Sequence, residues 1–378
     1  MLNRALVLEQ LQEASADLFM QQSNEYALAQ ASWQRIIKDP AFAYKIRQIT
    51  TPWLIPDWYD PLSQVIEINP TLDCYTVLGV DGSQVYPDKH QGTSCFLINI
   101  GTIIVHYGQN KNSAVSLNSQ PYLFAKQENE NQQFNGQDLV DCKRQEYELQ
   151  QGYELARNLQ AEVNVSNIPL VFLLDGSLIF WHLESKDKAL KEFFLHKYLQ
   201  ILEQLYQAKI LCAGYISLPK SKELVNLVRI ELCNFKIEDC TLHEAVNHIV
   251  DSTIASFFLP ANTRSIVFKS NAKIGAYYFP HLVPHFFYLN VGEEIVRIEI
   301  PAWTAQNEML VDQVAQVILN QAIKGRGYPV ALAEAHEQAV IKGPDRDFFY
   351  HLITKLAIEH KRQLIVSQKS MKKRGIGI

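Results

Sequence analysis

The chain lacks several features that would assign it quickly. Its six cysteines (Cys74, Cys95, Cys142, Cys212, Cys233 and Cys240) are scattered, with no Cys-x-x-Cys pair. That argues against a zinc knuckle and predicts no disulfide framework, as expected in a reducing compartment. No uncharged apolar run reaches the roughly 18 residues of a membrane span. Glu9 and Glu13 fall where a signal peptide would be apolar. The expectation is a soluble, cytoplasmic protein that touches no membrane, in which the sequon Asn164-Val165-Ser166 is chance. A dominant charge sign is missing too: the formal net charge of −5 argues against wholesale electrostatic capture of nucleic acid but leaves room for a local basic groove. There is no internal repeat at a solenoid period.

What is present is an ordinary globular composition, 47% hydrophobic and 20% charged over 378 residues, enough for one large domain or two ordinary ones. Residues 1–50 read as helical, with Leu6, Leu8 and Leu11 and then Leu18 and Phe19 near helical spacing. The Pro-containing stretch to Pro70 reads as irregular. Strands are expected at Tyr75–Val80, within Cys95–Tyr107, at Leu170–Leu174 and at Ile210–Leu218. Helices are expected near Val140–Gln160 and Asp187–Gln207, and from Val311 onward. The amide-rich stretch from Ser116 to Asp138 reads as a loop, and Tyr277–Ile300 as antiparallel strands turning at Asn290-Val291-Gly292. Alternating strands and helices define an α/β class with a mixed, buried central sheet and flanking helices. The expected divisions are an N-terminal helical region (1–70), a main domain (71–350), and a C-terminal helix with a basic tail (351–378).

The chemistry concentrates in two Asp-Gly-Ser motifs, at Asp81 and Asp175, each expected to end a buried strand. A strand aims its carboxylate rigidly, and glycine allows a sharp turn and close approach. Two such aspartates on adjacent strands would offer hard oxygen ligands suited to Mg²⁺ or Mn²⁺; the alternative is an ordinary turn after each strand. A third carboxylate is sought on the following helix. Glu148 shares the stripe of Gly152, Leu155 and Leu159 that should face the sheet, whereas Glu154 points away and Glu146 sits off the stripe. A carboxylate on an apolar face must be paired, protonated or metal-bound; Asp141 lies on the same side, and Arg144 could neutralise either group. In Gly327-Tyr328-Pro329-Val330-Ala331-Leu332-Ala333-Glu334-Ala335-His336, Pro329 fits the first turn of a helix. Spacing alone puts His336 on the apolar face, as a satisfied core residue. Lys220, Lys222 and Arg229 are candidates for phosphate contacts, with a solvated helix start as the equal alternative. The pairs His281/His285 and His243/His248 are alternative transition-metal sites; flanking prolines and the lack of a carboxylate cluster count against the first.

Val-Asp-Gly-Ser at 80–83, Leu-Leu-Asp-Gly-Ser-Leu at 173–178 and Gly-Tyr-Pro-Val-Ala-Leu-Ala-Glu-Ala-His at 327–336 together resemble the NurA family of DNA-repair nucleases. Arg297-Ile298-Glu299-Ile300-Pro301 is similar to that family's strand before its final helices, and the resemblance runs from about Tyr75 to Phe349. It implies an RNase H-like core and Mn²⁺-dependent 5′→3′ exonuclease and single-strand endonuclease activity on DNA, with Mg²⁺ as the alternative ion. It also implies a homodimer docking on a hexameric HerA-type ATPase in double-strand break resection. The family's aspartates fall on Asp81 and Asp175, its tyrosine and histidine on Tyr328 and His336, and its helix glutamate best on Glu148. On this reading Asp81, Glu148, Asp175 and His336 are the metal ligands, and His336 is no longer a core residue. Alternatives are an RNase H-like nuclease acting on RNA, and a docking or DNA-binding subunit that does not cut.

Overall fold

The computed structural model describes residues 2–20, 22–72, 74–88, 95–108, 114–124, 136–162, 168–237 and 240–361. The sequon and most of the basic tail lie outside them. The chain runs α1 (Arg4–Met20), α2 (Gln22–Lys38), α3 (Phe42–Arg47), β1 (Val65–Glu67), β2 (Tyr75–Val85), β3 (Phe96–Tyr107), β4 (Ala114–Phe124) and α4 (Gln137–Glu162). It continues through β5 (Leu170–Asp175), α5 (Lys188–Gln207), β6 (Leu211–Ile216), α6 (Glu223–Leu232), α7 (Asp251–Ser256), β7 (Thr263–Ser265) and β8 (Phe268–Lys269). It closes with β9 (Pro284–Asn290), β10 (Ile295–Pro301), α8 (Ala302–Ala305), α9 (Glu308–Lys324), α10 (Val330–Ala339) and α11 (Gly343–Glu359).

Two compact units result. The first comprises Met1–Ile68, Ile216–Ala276 and Pro284–Ile298; the second comprises Asn69–Tyr215, Tyr277–Val283 and Glu299–Ile378. The chain passes between them more than once, an interleaving that contiguous sequence divisions do not express. In the first unit, Trp33 and Ile36 of α2 and Phe42 and Ile46 of α3 join Leu224, Val228 and Phe286 in one apolar cluster. A buried Arg297–Glu223 ion pair lies in the same unit, with the Arg297 guanidinium 3.6 Å from the Phe286 ring centroid.

The second unit carries strands in the order β6-β5-β2-β3-β4. β2, β3 and β4 form an antiparallel meander, and β5 runs parallel to both β2 and β6. A three-strand meander followed by two parallel strands reached through helices is the RNase H-like arrangement. Period-two alternation assigns helices to faces. At Gly79 a Cβ would sit 2.4 Å from Ala331 O of α10; at Gly82, three residues on and so on the opposite face, it would meet Glu148 and Arg144 of α4. Gly101 of β3 receives α10 again, where a Cβ would sit 2.3 Å from both Ala335 O and Ala339 N, and Gly152 of α4 lies against the Phe172 ring of β5. Each helix therefore packs at a glycine, closer than any side chain would allow.

Three sequence expectations are corrected. Ser116–Phe124 is not a loop but most of β4, paired with β3 from Phe96↔Phe124 to His106↔Ala114. As an edge strand with mostly exposed side chains it needs no apolar alternation and tolerates Pro121; residues 125–135 lie outside the described set. Asp81 does not end its strand: β2 continues to Val85 because β3 pairs with it throughout. Cys233 and Cys240 form a disulfide, brought together by a turn that their spacing does not reveal.

Because α10 seats on bare backbone, Gly101→Ala should lower unfolding stability by about 1–3 kcal/mol through overpacking. Gly275, where a Cβ would meet nothing within 4 Å, is the control, and Gly275→Ala should leave the urea midpoint nearly unchanged. Equal midpoints for both variants would contradict this packing.

Candidate active site

The register Val80↔Leu174 makes Asp81 and Asp175 the next pair along two parallel neighbours, so both carboxylates stand at one level of the sheet. Asp81 Oδ1 accepts the Gly82 N–H at 2.7 Å, and its Oδ2 lies 2.8 Å from His336 Nδ1. Asp175 sits at the exposed end of β5, where Gly176 (φ +148°) turns the chain sharply. Packing around the Asp175 carboxyl pushes its pKa up; the Tyr328 hydroxyl bonded to it pulls it down, and neighbouring Asp81 pushes it up again. Tyr328 stands just ahead of α10, after Gly327 (φ +112°), its ring edge-on to Tyr215 at 5.3 Å.

The two motif serines serve as anchors. Ser83 Oγ donates to Ala339 O at 2.5 Å and accepts from Ile341 N–H, fastening the end of α10 to β2. Ser177 Oγ donates to Glu299 Oε2 at 2.6 Å, and the Leu178 and Ile179 N–H groups donate to the same oxygen. Glu299 is fully buried, so it clamps the turn that follows Asp175. In the sequence the only signal for Glu299 is an acid inside the apolar run Ile298–Ile300.

Glu148 arrives from α4 on the other face of β2. It is 6% exposed, and its Oε1 occupies the space a Gly82 side chain would need, 2.6 Å from the Cβ position. Burial raises its pKa to about 7; Arg144, 3.3 Å from Oε1, opposes the rise, and Asp81 and Asp175 add to it. Oε1 accepts no hydrogen bond. Arg144 also donates to Gly82 O at 3.0 Å, so it braces both strand and carboxylate. Four other carboxylates of this helix are engaged elsewhere: Asp138 with Lys186, Asp141 with Tyr86, Glu146 with Lys143 and Lys197, Glu154 with Gln150 and Gln151.

The structure thus brings Asp81, Glu148, Asp175, Tyr328 and His336 into one neighbourhood. His336 is not on the apolar face that spacing alone gave it: its side chain is 58% exposed, because the helix buries the narrower stripe Ala331, Leu332, Ala335 and Ala339. Lys220, Lys222 and Arg229 belong to the other unit. Lys222 Nζ donates to Asn247 O, Arg229 bonds to Asn226 and Asn247, and Lys220 is exposed.

The donor set suits a hard divalent cation. Oxygen ligands of this kind favour Mg²⁺ or Mn²⁺, and a cation would engage the Glu148 oxygen that accepts no hydrogen bond and offset the mutual repulsion of the carboxylates. The carboxylate oxygens do not all lie within 4.8 Å of one another. Among the described residues, the group of three potential ligands within 4.8 Å of one another is Cys233, Cys240 and His243.

The strand order and the carboxylates at one level of β2 and β5 define a nuclease-type RNase H-like core. A model of the NurA domain matches residues 75–341, and the chain belongs to the NurA family of nucleases. The fold is similar to a crystal structure of NurA at 10% identity, covering 92% of this chain and 97% of that one, with a TM-score of 0.40. It is also similar to the catalytic domain of human endonuclease V (11% identity, 85% and 96% covered, TM-score 0.33). A third likeness is to Drosophila Piwi (10% identity, 70% and 29% covered, TM-score 0.27). Family membership rests on the domain match, not on these likenesses. A sequence comparison with curated proteins finds no match.

A carboxylate whose pKa rises from 4.5 to about 7 on folding takes up a proton when the chain folds. Its penalty is therefore absent below about pH 4.5, grows as pH rises, and is complete above about pH 7. In EDTA near pH 8, Glu148→Gln should stabilise the protein by up to about 3 kcal/mol, and the gain should shrink as pH falls toward 5. A Gln variant no more stable than wild type at pH 8 would show that Glu148 is not strained in this way.

Proposed function

We propose that the chain is a metal-dependent DNA nuclease in which Asp81, Glu148 and Asp175 hold one or two divalent ions, Mn²⁺ or Mg²⁺. The observation that carries this is the buried Glu148 carboxylate, with one oxygen that accepts no hydrogen bond and has only the Arg144 ion pair beside it, facing two strand aspartates across a glycine. Bound ions would supply an activated water and charge neutralisation at the scissile phosphate. The remaining work falls to the chain's own groups. Asp81, when ionised, accepts from His336 Nδ1–H, which fixes the ring and leaves Nε2 to exchange a proton near the phosphate. Tyr328 donates to Asp175 and presents its ring beside it, positioning a phosphate or base. Arg144 holds Glu148 in place and keeps it partly ionised.

The finer reading follows family membership: 5′→3′ exonuclease and single-strand endonuclease activity in DNA end resection, as a cytoplasmic homodimer working with a HerA-type hexameric ATPase. No helix among the described residues is long and apolar enough to cross a membrane.

Labelled single- and double-stranded DNA and RNA, incubated with Mn²⁺, Mg²⁺ or EDTA, test the proposal. DNA should be cut with either metal and not in EDTA, and Asp175→Ala should reduce the rate by at least about 100-fold. Cutting that persists in EDTA or survives Asp175→Ala would overturn the mechanism. Faster cutting of RNA would move the substrate assignment, and no cutting with retained ATPase binding would make the chain a docking subunit.

A further inference from the structure

The first unit contains a cluster that nuclease chemistry leaves unused. Cys233 stands where α6 ends. The next two residues, Asn234 and Phe235, take φ of +47° and +62° and turn the chain back, with Phe235 N–H donating to Ile230 O at 3.0 Å. The return places Cys240 with its Cα 5.8 Å from that of Cys233, and the two are disulfide-bonded. A short helical turn, Leu242–Val246, then carries His243, whose ligand atom lies within 4.8 Å of both sulfurs. Independently, His243 Nδ1 is buried without a hydrogen-bond partner, and its ring packs on Trp53 at 5.0 Å. A buried imidazole nitrogen left unsatisfied is costly unless a ligand takes it.

We propose that Cys233, Cys240 and His243 form, when reduced, a binding site for a thiophilic divalent cation of the Zn²⁺ type. Disulfide and metal are then alternative ways of closing one crosslink. Two thiolates and an imidazole select Zn²⁺ over the hard ions that suit carboxylates, and three protein ligands leave a fourth position for water. Disulfide sulfur carries no thiolate charge, so only the reduced form binds. A phosphine reductant accomplishes the change in balance: disulfide, phosphine and water give two thiols and a phosphine oxide. Zn²⁺ then displaces the two thiol protons. The crosslink ties the end of α6 to the Leu242–Val246 turn. Phe235, Ile237 and Val246 around it belong to the apolar cluster of the first unit, so either closure holds that cluster together. Buried Cys142 and Cys212 do not compete, since burial pushes both thiols up to about 12.

The test uses the full chain, treated with a phosphine and then titrated with Co²⁺ as a visible stand-in. One equivalent should produce sulfur-to-cobalt charge-transfer absorption, which Zn²⁺ bleaches. The unreduced protein should give none, Cys240→Ser should lose it, and His243→Gln should weaken binding by on the order of tenfold or more. Asp175→Ala should keep it, which separates this site from the carboxylates. Absorption that is missing from the reduced wild type, or unchanged in Cys240→Ser, would overturn the proposal. Should Cys240→Ser fail to fold, alkylation mapped by mass spectrometry decides. Zn²⁺ should protect Cys233 and Cys240 of the reduced wild type, and equal labelling with and without Zn²⁺ would sink the idea.

Discussion

Gly82 has no side chain, and the space a Cβ would fill is held by a carboxylate oxygen of Glu148. Much of the second unit is arranged around that contact. Glu148 comes from a helix on one face of β2, while Asp81 and Asp175 present theirs beside α10 on the other. A glycine between them lets negative charges from both faces approach through the sheet. The cost is electrostatic: burial and two neighbouring carboxylates raise Glu148 to about 7, and the single nearby Arg144 only partly opposes them. A protein tolerates such crowding where a cation is meant to relieve it.

The surrounding structure keeps that arrangement rigid. α10 lies against Gly79 and Gly101 at backbone contact, and Ser83 and Asn99 hold its last carbonyls. His336 therefore reaches Asp81 from a fixed helix instead of a mobile loop. Around Asp175 of β5, Glu299 collects a hydroxyl and two backbone N–H groups to hold the turn that follows it. Both motif serines support the chain that carries an aspartate, and the aspartates themselves are left to His336 and Tyr328. Sites held by rigid elements and supported from behind keep the sub-ångström geometry that catalysis needs.

The sequence revealed the parts of this design that depend on local periodicity. The buried strand at Leu170–Leu174 and the facing of Glu148 on α4 follow from repeats of two and 3.6 residues. The NurA motifs supplied Tyr328 and His336. What stayed hidden depends on contacts distant in sequence. Whether Asp81 ends its strand is decided by the length of β3, and a polar edge strand looks like a loop because its exposed faces need no apolar residues. His336 lies at the border of its helix's apolar stripe, and only the narrow seat offered by two glycines puts it outside. Arg144 looked like a generic neutralising group, and Glu299 like one acid in a strand. The Cys233–Cys240 pair depends on a turn built from two residues with positive φ, which no cysteine spacing encodes.

The claim that Glu148 belongs to the metal site can be tested through its proton. Near pH 6.5 a group with a pKa of about 7 is largely protonated, so an ion that binds to it must expel that proton. Calorimetric titration of Mn²⁺ in buffers of different ionisation enthalpy counts the protons released per ion. The account predicts that wild type releases more than Glu148→Gln at this pH, and that the difference fades toward pH 8.5. Equal proton release by the two proteins at pH 6.5, with equal Mn²⁺ affinity, would contradict it.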